Sequence, residues 1–330
     1  MIETIKTSEV KIGMYVILPK SWFGRLLHPF QKTHFLIETE DELQQILHSG
    51  LEEIKIDPSC SAIVQDVECL THPTSEIIPP SKWKSDKNIS QQLKQVIHDQ
   101  SLEPEIKAKA VYQESMTLMK SLFDNPSAGQ IIQAKEAIGE VVDMILSEDD
   151  TTLNLLKIMT HDFYTYTHSV NVGVQSIALA KRLYGTHSDH DMHELGAGFF
   201  LHDLGKAKID SGILNKQGRL DEKEMAIMRA HPSLGYSILK KANQLSRECA
   251  LIAIQHHERE DGTGYPRQLK GDRIHDYSRI CCIADVFDAL TAERSYKRGL
   301  STFEALKIMK DEMYGHFHHD IFENFVMLFH

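Results

Sequence analysis

The run His256-His257-Glu258-Arg259-Glu260-Asp261-Gly262-Thr263-Gly264-Tyr265-Pro266 limits what this chain can fold into more than any other stretch. Two adjacent imidazoles, an acidic turn and a Gly-Tyr-Pro loop are hard to hold together unless the histidines have something to bind. His202-Asp203-Leu204-Gly205-Lys206 repeats the theme upstream, and Asp285 adds a carboxylate downstream. A fold that satisfies these residues must bring distant helix ends to one point, and together they read as a metal site.

With 330 residues, 42% hydrophobic and 25% charged, the chain has room for about two globular domains. Its formal net charge of -11 argues against a broad electrostatic grip on polymeric nucleic acid, but leaves room for a small anion held by local cations. The five cysteines, Cys60, Cys69, Cys249, Cys281 and Cys282, have no repeated spacing and predict reduced thiols in a cytoplasmic protein. Met1 to Lys6 shows no signal-peptide pattern. No run of about 18 apolar residues occurs, so no membrane span is expected.

Periodicity predicts an α+β chain in which a small mixed α/β amino-terminal module precedes an all-α bundle. The module covers residues 1–70. Val10-Lys11-Ile12 and Met14 to Leu18 read as two strands around Gly13, His34 to Ile37 as a third, Asp41 to Leu51 as a helix, and Glu53 to Asp57 as a closing strand. Pro73, Pro79, Pro80 and the polar run after them mark residues 71–90 as a linker. Residues 91–150 form a helical connector with breaks near Pro104 and Asn125-Pro126, and residues 151–330 form the helical domain that carries the chemistry.

Within that domain, a helix from Phe163 to Gly185 carries His168, and one from Asp191 ends at His202-Asp203. Asp221 and Glu224 have capping-box spacing for a helix that delivers His231, and Pro232 suits the start of the next. Cys249 to Gln255 delivers His256 and His257, and a helix from Ser278 to Thr291 sets Asp285 and Asp288 on one face. A hydrolytic di-metal centre needs neutral imidazoles and carboxylates from several rigid elements, with one carboxylate able to bridge. A plainer alternative makes each histidine a helix-end residue hydrogen-bonded to a backbone carbonyl.

His168, His202-Asp203 and Asp285 resemble the H…HD…D signature of the HD phosphohydrolase superfamily. His202 to Lys206, His231-Pro232 and His256-His257-Glu258 through Gly264-Tyr265-Pro266 are similar to the HD-GYP subfamily, which cleaves cyclic di-GMP and related cyclic dinucleotides. Residues 1 to about 60 resemble a small module often found in front of such domains. The resemblance implies that His168, His202 and Asp285 hold one metal, that His231, His256 and His257 hold a second, and that Asp203 bridges them. Asp203 and Lys206 would be catalytic, with Lys206 holding a phosphate oxygen or steadying the leaving group. Arg294 and Lys297 would touch the nucleotide phosphates, and Tyr265 a base or a phosphate, unless it merely packs against a neighbouring helix. Two divalent ions are implied, iron first and manganese next.

Three positions depart from the family pattern. Tyr164 stands where some members use a glutamate for a third metal, so two metals are expected. Gln268 replaces a usual glycine, and Asp210 a usual proline. The leading expectation is a phosphodiesterase that opens a cyclic dinucleotide to the linear dinucleotide, GMP or both, lowering the level of a second messenger. The alternatives are a receptor or protein-interaction module with little turnover, and a different HD-type metal reaction. A diguanylate cyclase (GGDEF) protein and a second copy of the chain are the expected protein partners; no membrane is expected.

Overall fold

The computed structural model describes residues 3–18, 34–37, 40–56, 89–159, 164–186, 190–216, 218–293 and 298–329. The chain divides into two compact units, Met1–Ile77 and Ile78–His330.

The first unit is built on a four-stranded antiparallel sheet, β1 (Glu3–Lys6), β2 (Tyr15–Ile17), β3 (His34–Leu36) and β4 (Glu53–Ile56), in the order β1-β4-β2-β3. One helix, α1 (Glu40–Leu47), precedes β4. Period-two alternation in β4 turns Ile54 and Ile56 inward, where they join Val10, Val16, Leu18, Ile37 and Ile46 in a small core. The strand expected at Val10-Lys11-Ile12 is a correction. Strand β1 lies earlier, a short 3-10 turn follows at Thr7–Glu9, and only Val10 enters the core, while Ile12 is exposed. Glu3-Thr4-Ile5-Lys6 carries one large apolar residue and pairs on one side only, so its sequence has little strand signal.

The second unit is all-helical among its described residues. It begins with α2 (Ile89–His98), α3 (Pro104–Asp124), α4 (Ala128–Ser147) and α5 (Asp149–Ile158). Proline at the start of α3 and the Ser127 side chain capping α4 explain the two breaks read from the sequence. These helices form no separate connector. Two largely buried helices, α6 (Thr165–Tyr184) and α7 (Met192–Leu201), receive them: α3 and α5 pack on α6, α4 packs on both, and α2 packs on α3 and α4. The expected linker lies outside the described residues as far as Asn88; Ile89 and Ser90 already belong to α2.

Beyond α7 the chain runs through a 3-10 turn, Leu204–Lys208, into α8 (Ser211–Leu214), α9 (Glu222–Met228), α10 (His231–Lys241), α11 (Arg247–Gln255) and α12 (Asp276–Thr291). The Asp221 and Glu224 capping box is formed at α9. Asp210 caps α8 by accepting from the Gly212 amide. Two helices not separately read from the sequence, α13 (Thr302–Glu312) and α14 (His319–Val326), complete the unit. No helix among the described residues is long and apolar enough to cross a membrane.

One backbone contact fixes where α10 begins. Gly205 lies directly against the His231 carbonyl and the Gly235 amide, so any Cβ there would collide with both. Neither obstacle is a side chain that could rotate away. Gly205→Ala is expected to destabilise the protein by about 3 kcal/mol, the upper end for overpacking, and to displace His231. Thermal denaturation and metal binding of the variant check this together.

Candidate metal centre

Three imidazoles of the cluster are oriented by backbone carbonyls at helix ends. His202 follows the last turn of α7, where carbonyls lack an intrahelical partner, and its Nδ1 lies 2.8 Å from the Phe199 oxygen. His231 Nδ1 lies 2.8 Å from the Met228 oxygen. His256, at the end of α11, sets Nδ1 3.0 Å from Ile252 O and 3.1 Å from Ala253 O. A carbonyl only accepts, so Nδ1 is the donor in all three rings. Burial lowers the pKa of each ring: His202 falls to about 4, His231 is lowered, and His256 drops well below its ordinary value. The rings are therefore neutral, and each Nε2 carries a bare lone pair.

Those lone pairs face one another. His231 Nε2 is 3.1 Å from His256 Nε2 and 3.1 Å from His257 Nε2. Asp203 sits between two groups of nitrogens: Oδ1 lies 3.1 Å from His231 and 3.8 Å from His256, and Oδ2 lies 3.4 Å from His168 and 3.5 Å from His202. Asp285 likewise reaches both, with Oδ1 3.1 Å from His168 Nε2 and Oδ2 3.2 Å from His257 Nδ1. Two sets result, Asp203 with His231, His256 and His257, and His168 with His202 and Asp285; within each set the donor atoms lie within 4.8 Å of one another.

This donor set fits divalent cations. His202 Nε2 and Asp203 Oδ1 are buried without a hydrogen-bond partner, an arrangement that is unfavourable unless a cation meets it. A neutral His231 with its proton on Nδ1 offers Asp203 Oδ1 no hydrogen, so their 3.1 Å approach sets acceptor against acceptor. Burial would raise both carboxyls. The Lys206 ammonium holds Asp203 well below the usual range, and His257 and His168 do the same for Asp285. Burial pushes the Cys281 thiol well above its ordinary pKa, which makes it a poor thiolate ligand beside Asp285.

His168 differs from the other rings. Its Nδ1 lies 2.7 Å from Asp288 Oδ2, an outer carboxylate that fixes the tautomer and raises the basicity of Nε2. Burial lowers its pKa, but the hydrogen bonds it donates to Asp285 and Asp288 outweigh that and raise it to about 10. The proton holds the position a cation would take.

Around this centre, Lys206 Nζ donates to Asp203 Oδ2. Tyr265 stacks on His257, with ring centroids 4.6 Å apart, so its ring supports a cluster histidine. Arg294 and Lys297 lie outside the described residues. Tyr164 is 58% exposed and stacks on Tyr166.

Glu258 and Arg229 gain roles that the sequence did not suggest. Glu258 is buried and accepts from the Arg267 and Leu269 amides at 2.7 and 2.8 Å, tying the Gly-Tyr-Pro loop to the His256-His257 pair. Gly264 lies close against the backbone of His257, Glu258 and Arg259, where a Cβ would collide. Arg229, exposed, sets its guanidinium carbon 5.5 Å from the Tyr265 ring centre. Its position two residues before His231 was the available signal. Gln268 has φ +54, the left-handed backbone that glycine adopts without strain.

A family profile described as HD domain matches residues 154–321, and one described as a domain of unknown function (DUF3391) matches residues 2–137. The cyclic di-GMP phosphodiesterase PA4108 of Pseudomonas aeruginosa is 32% identical over 99% of this chain and 76% of its own length. The 3'3'-cGAMP-specific phosphodiesterase 3 of Vibrio cholerae is 40% identical over 46% of this chain, and the match spans 32% of that longer protein. Bd1817, an HDG"Y"P protein from Bdellovibrio bacteriovorus, shares the fold at a TM-score of 0.61 and 18% identity, with 99% of both chains covered. The chain belongs to the HD domain family, and within it to the HD-GYP proteins whose motifs it carries.

The unequal protonation of the two ligand sets has a measurable result. Below about pH 10 the metal-free His168 ring holds a proton that a cation must displace, whereas His202, His231 and His256 are already neutral at pH 7. Metal uptake at the His168 set should therefore release one proton, and its apparent affinity should rise about tenfold per pH unit up to about pH 10. Calorimetric titration in buffers of different ionisation enthalpy measures that proton directly.

Proposed function

We propose that this chain is a di-metal phosphodiesterase that hydrolyses cyclic di-GMP or a closely related cyclic dinucleotide. The observation that carries the reading is the placement of Asp203 between two facing sets of imidazole nitrogens, His231 and His256 on one side and His168 and His202 on the other. The names of the relatives support the substrate class. The chain spans about a third of the second relative's length, so agreement with that protein concerns this region alone.

Divalent cations held here would supply Lewis acidity toward a phosphoryl oxygen and make water a stronger nucleophile at neutral pH. The chain's own residues do the rest. Asp203 keeps the two sets in register, and Lys206, bonded to it, is free to turn an N–H toward a non-bridging phosphate oxygen or the departing ribose oxygen. Tyr265 and Arg229 form a ledge beside His257, where the guanidinium can grip phosphate through two hydrogen bonds. Tyr164 faces solvent and stacks on its neighbour, which supports two metals rather than three. Iron is the first expectation and manganese the next, since the donors are imidazole and carboxylate without thiolate. The unpaired thiols of Cys249, Cys281 and Cys282 agree with action in the cytoplasm.

Anaerobically purified protein should carry about two metal equivalents by elemental analysis and convert cyclic di-GMP to linear dinucleotide, GMP or both on chromatography. Asp203→Ala should lower turnover at least a hundredfold, the loss expected when a bridging ligand is removed. Binding without cleavage by metal-loaded wild type would replace the enzyme with a receptor, and three equivalents would overturn the assignment drawn from Tyr164. For the ledge, Arg229→Ala should raise KM about tenfold with a smaller change in kcat, the pattern of a lost ground-state phosphate contact.

A further inference from the structure

Behind His168 a chain of hydrogen bonds runs away from the metal centre and out of the segment that matches the HD domain. His168 Nδ1 lies 2.7 Å from Asp288 Oδ2. Asn171 Nδ2 donates to Asp288 Oδ1 at 2.7 Å, and the Tyr112 hydroxyl donates to Asn171 Oδ1 at 2.8 Å. Tyr112, Asn171 and Asp288 are all buried. Tyr112 belongs to α3, which packs on the α6 helix that carries His168 and Asn171. It lies within the stretch matched by the profile of unknown function, not within residues 154–321.

We infer that Tyr112 is a positioning residue for His168, acting through Asn171 and Asp288. Chemistry fixes the direction of every link. An ionised carboxylate only accepts, so Asn171 must turn its amide nitrogen toward Asp288, which leaves its oxygen facing Tyr112. Tyr112 must then donate. The hydroxyl sets the amide, the amide holds one oxygen of Asp288, and the other oxygen aims the His168 ring so that Nε2 points at Asp285 and Asp203. Helix α3 therefore contributes to the metal centre without touching it, and the region before the HD-matched segment gains a chemical role.

The inference rests on the metal reading above, and its test separates the two. Metal-free full-length protein is titrated with Mn²⁺ while free ion is followed by its electron paramagnetic resonance signal, for wild type, Tyr112→Phe and Val111→Ala. Truncating an outer partner in direct contact with a ligand typically weakens metal binding about 10- to 100-fold. Tyr112 stands two hydrogen bonds further out, so Tyr112→Phe should weaken one uptake step by about three- to tenfold and leave the other unchanged. The thermal midpoint of the metal-free variant should stay near wild type. Val111→Ala removes buried volume from the same helix and should lower that midpoint with both steps intact. The inference is overturned if Tyr112→Phe titrates as wild type does, or if it weakens both steps together along with its stability. Should wild type take up one equivalent only, the two-metal reading fails, and the same comparison on that equivalent still decides the role of Tyr112.

Discussion

The protein's chemistry depends on hydrogen bonds from imidazole Nδ1 to backbone carbonyls at helix ends. At His202, His231 and His256 the same pattern recurs: the backbone takes the Nδ1 proton, burial keeps the ring neutral, and Nε2 is left bare. One such nitrogen would be an ordinary buried histidine. Where His231 and His256 aim such nitrogens at each other and at Asp203, none of the facing atoms has a hydrogen to share. The helix ends orient the rings, and burial holds them in the protonation state a cation needs. The plainer reading of each histidine as a helix-end residue is thus half of the answer. The carbonyl bond is what leaves the other nitrogen free to bind.

Much of this was legible in the sequence because ligands at helix ends carry local signals. The Asp221 and Glu224 box, Pro232 after His231, and the apolar period running into His256-His257 each mark a boundary, and the boundaries deliver the residues. What stayed hidden depends on tertiary contact. Glu258 sits inside a recognised motif, but its bonds to the Arg267 and Leu269 amides exist only once the loop folds back. Tyr112 is one apolar-face residue among many on α3, and no period distinguishes it. Strand β1 escaped for a different reason: an edge strand with one large apolar residue has little to alternate.

Two of the expected departures fall where the backbone makes special demands. Gln268 takes a left-handed φ of +54, and Asp210 caps α8 by accepting from the Gly212 amide. Tyr164 is largely exposed and stacks on Tyr166. A side chain can meet a turn's demand locally, whereas a ligand must also bring the right atom to a shared point.

Glu258 is the residue that joins the cluster to its rim. It follows His257 directly, and its carboxylate clamps the loop that holds Tyr265 over that ring. The loop cannot swing outward without pulling on the peptide that carries two of the imidazoles. Admission at the mouth and retention at the floor are therefore mechanically coupled. A change that loosens the Gly-Tyr-Pro loop therefore reaches the donor atoms of the cluster through one residue's carboxylate.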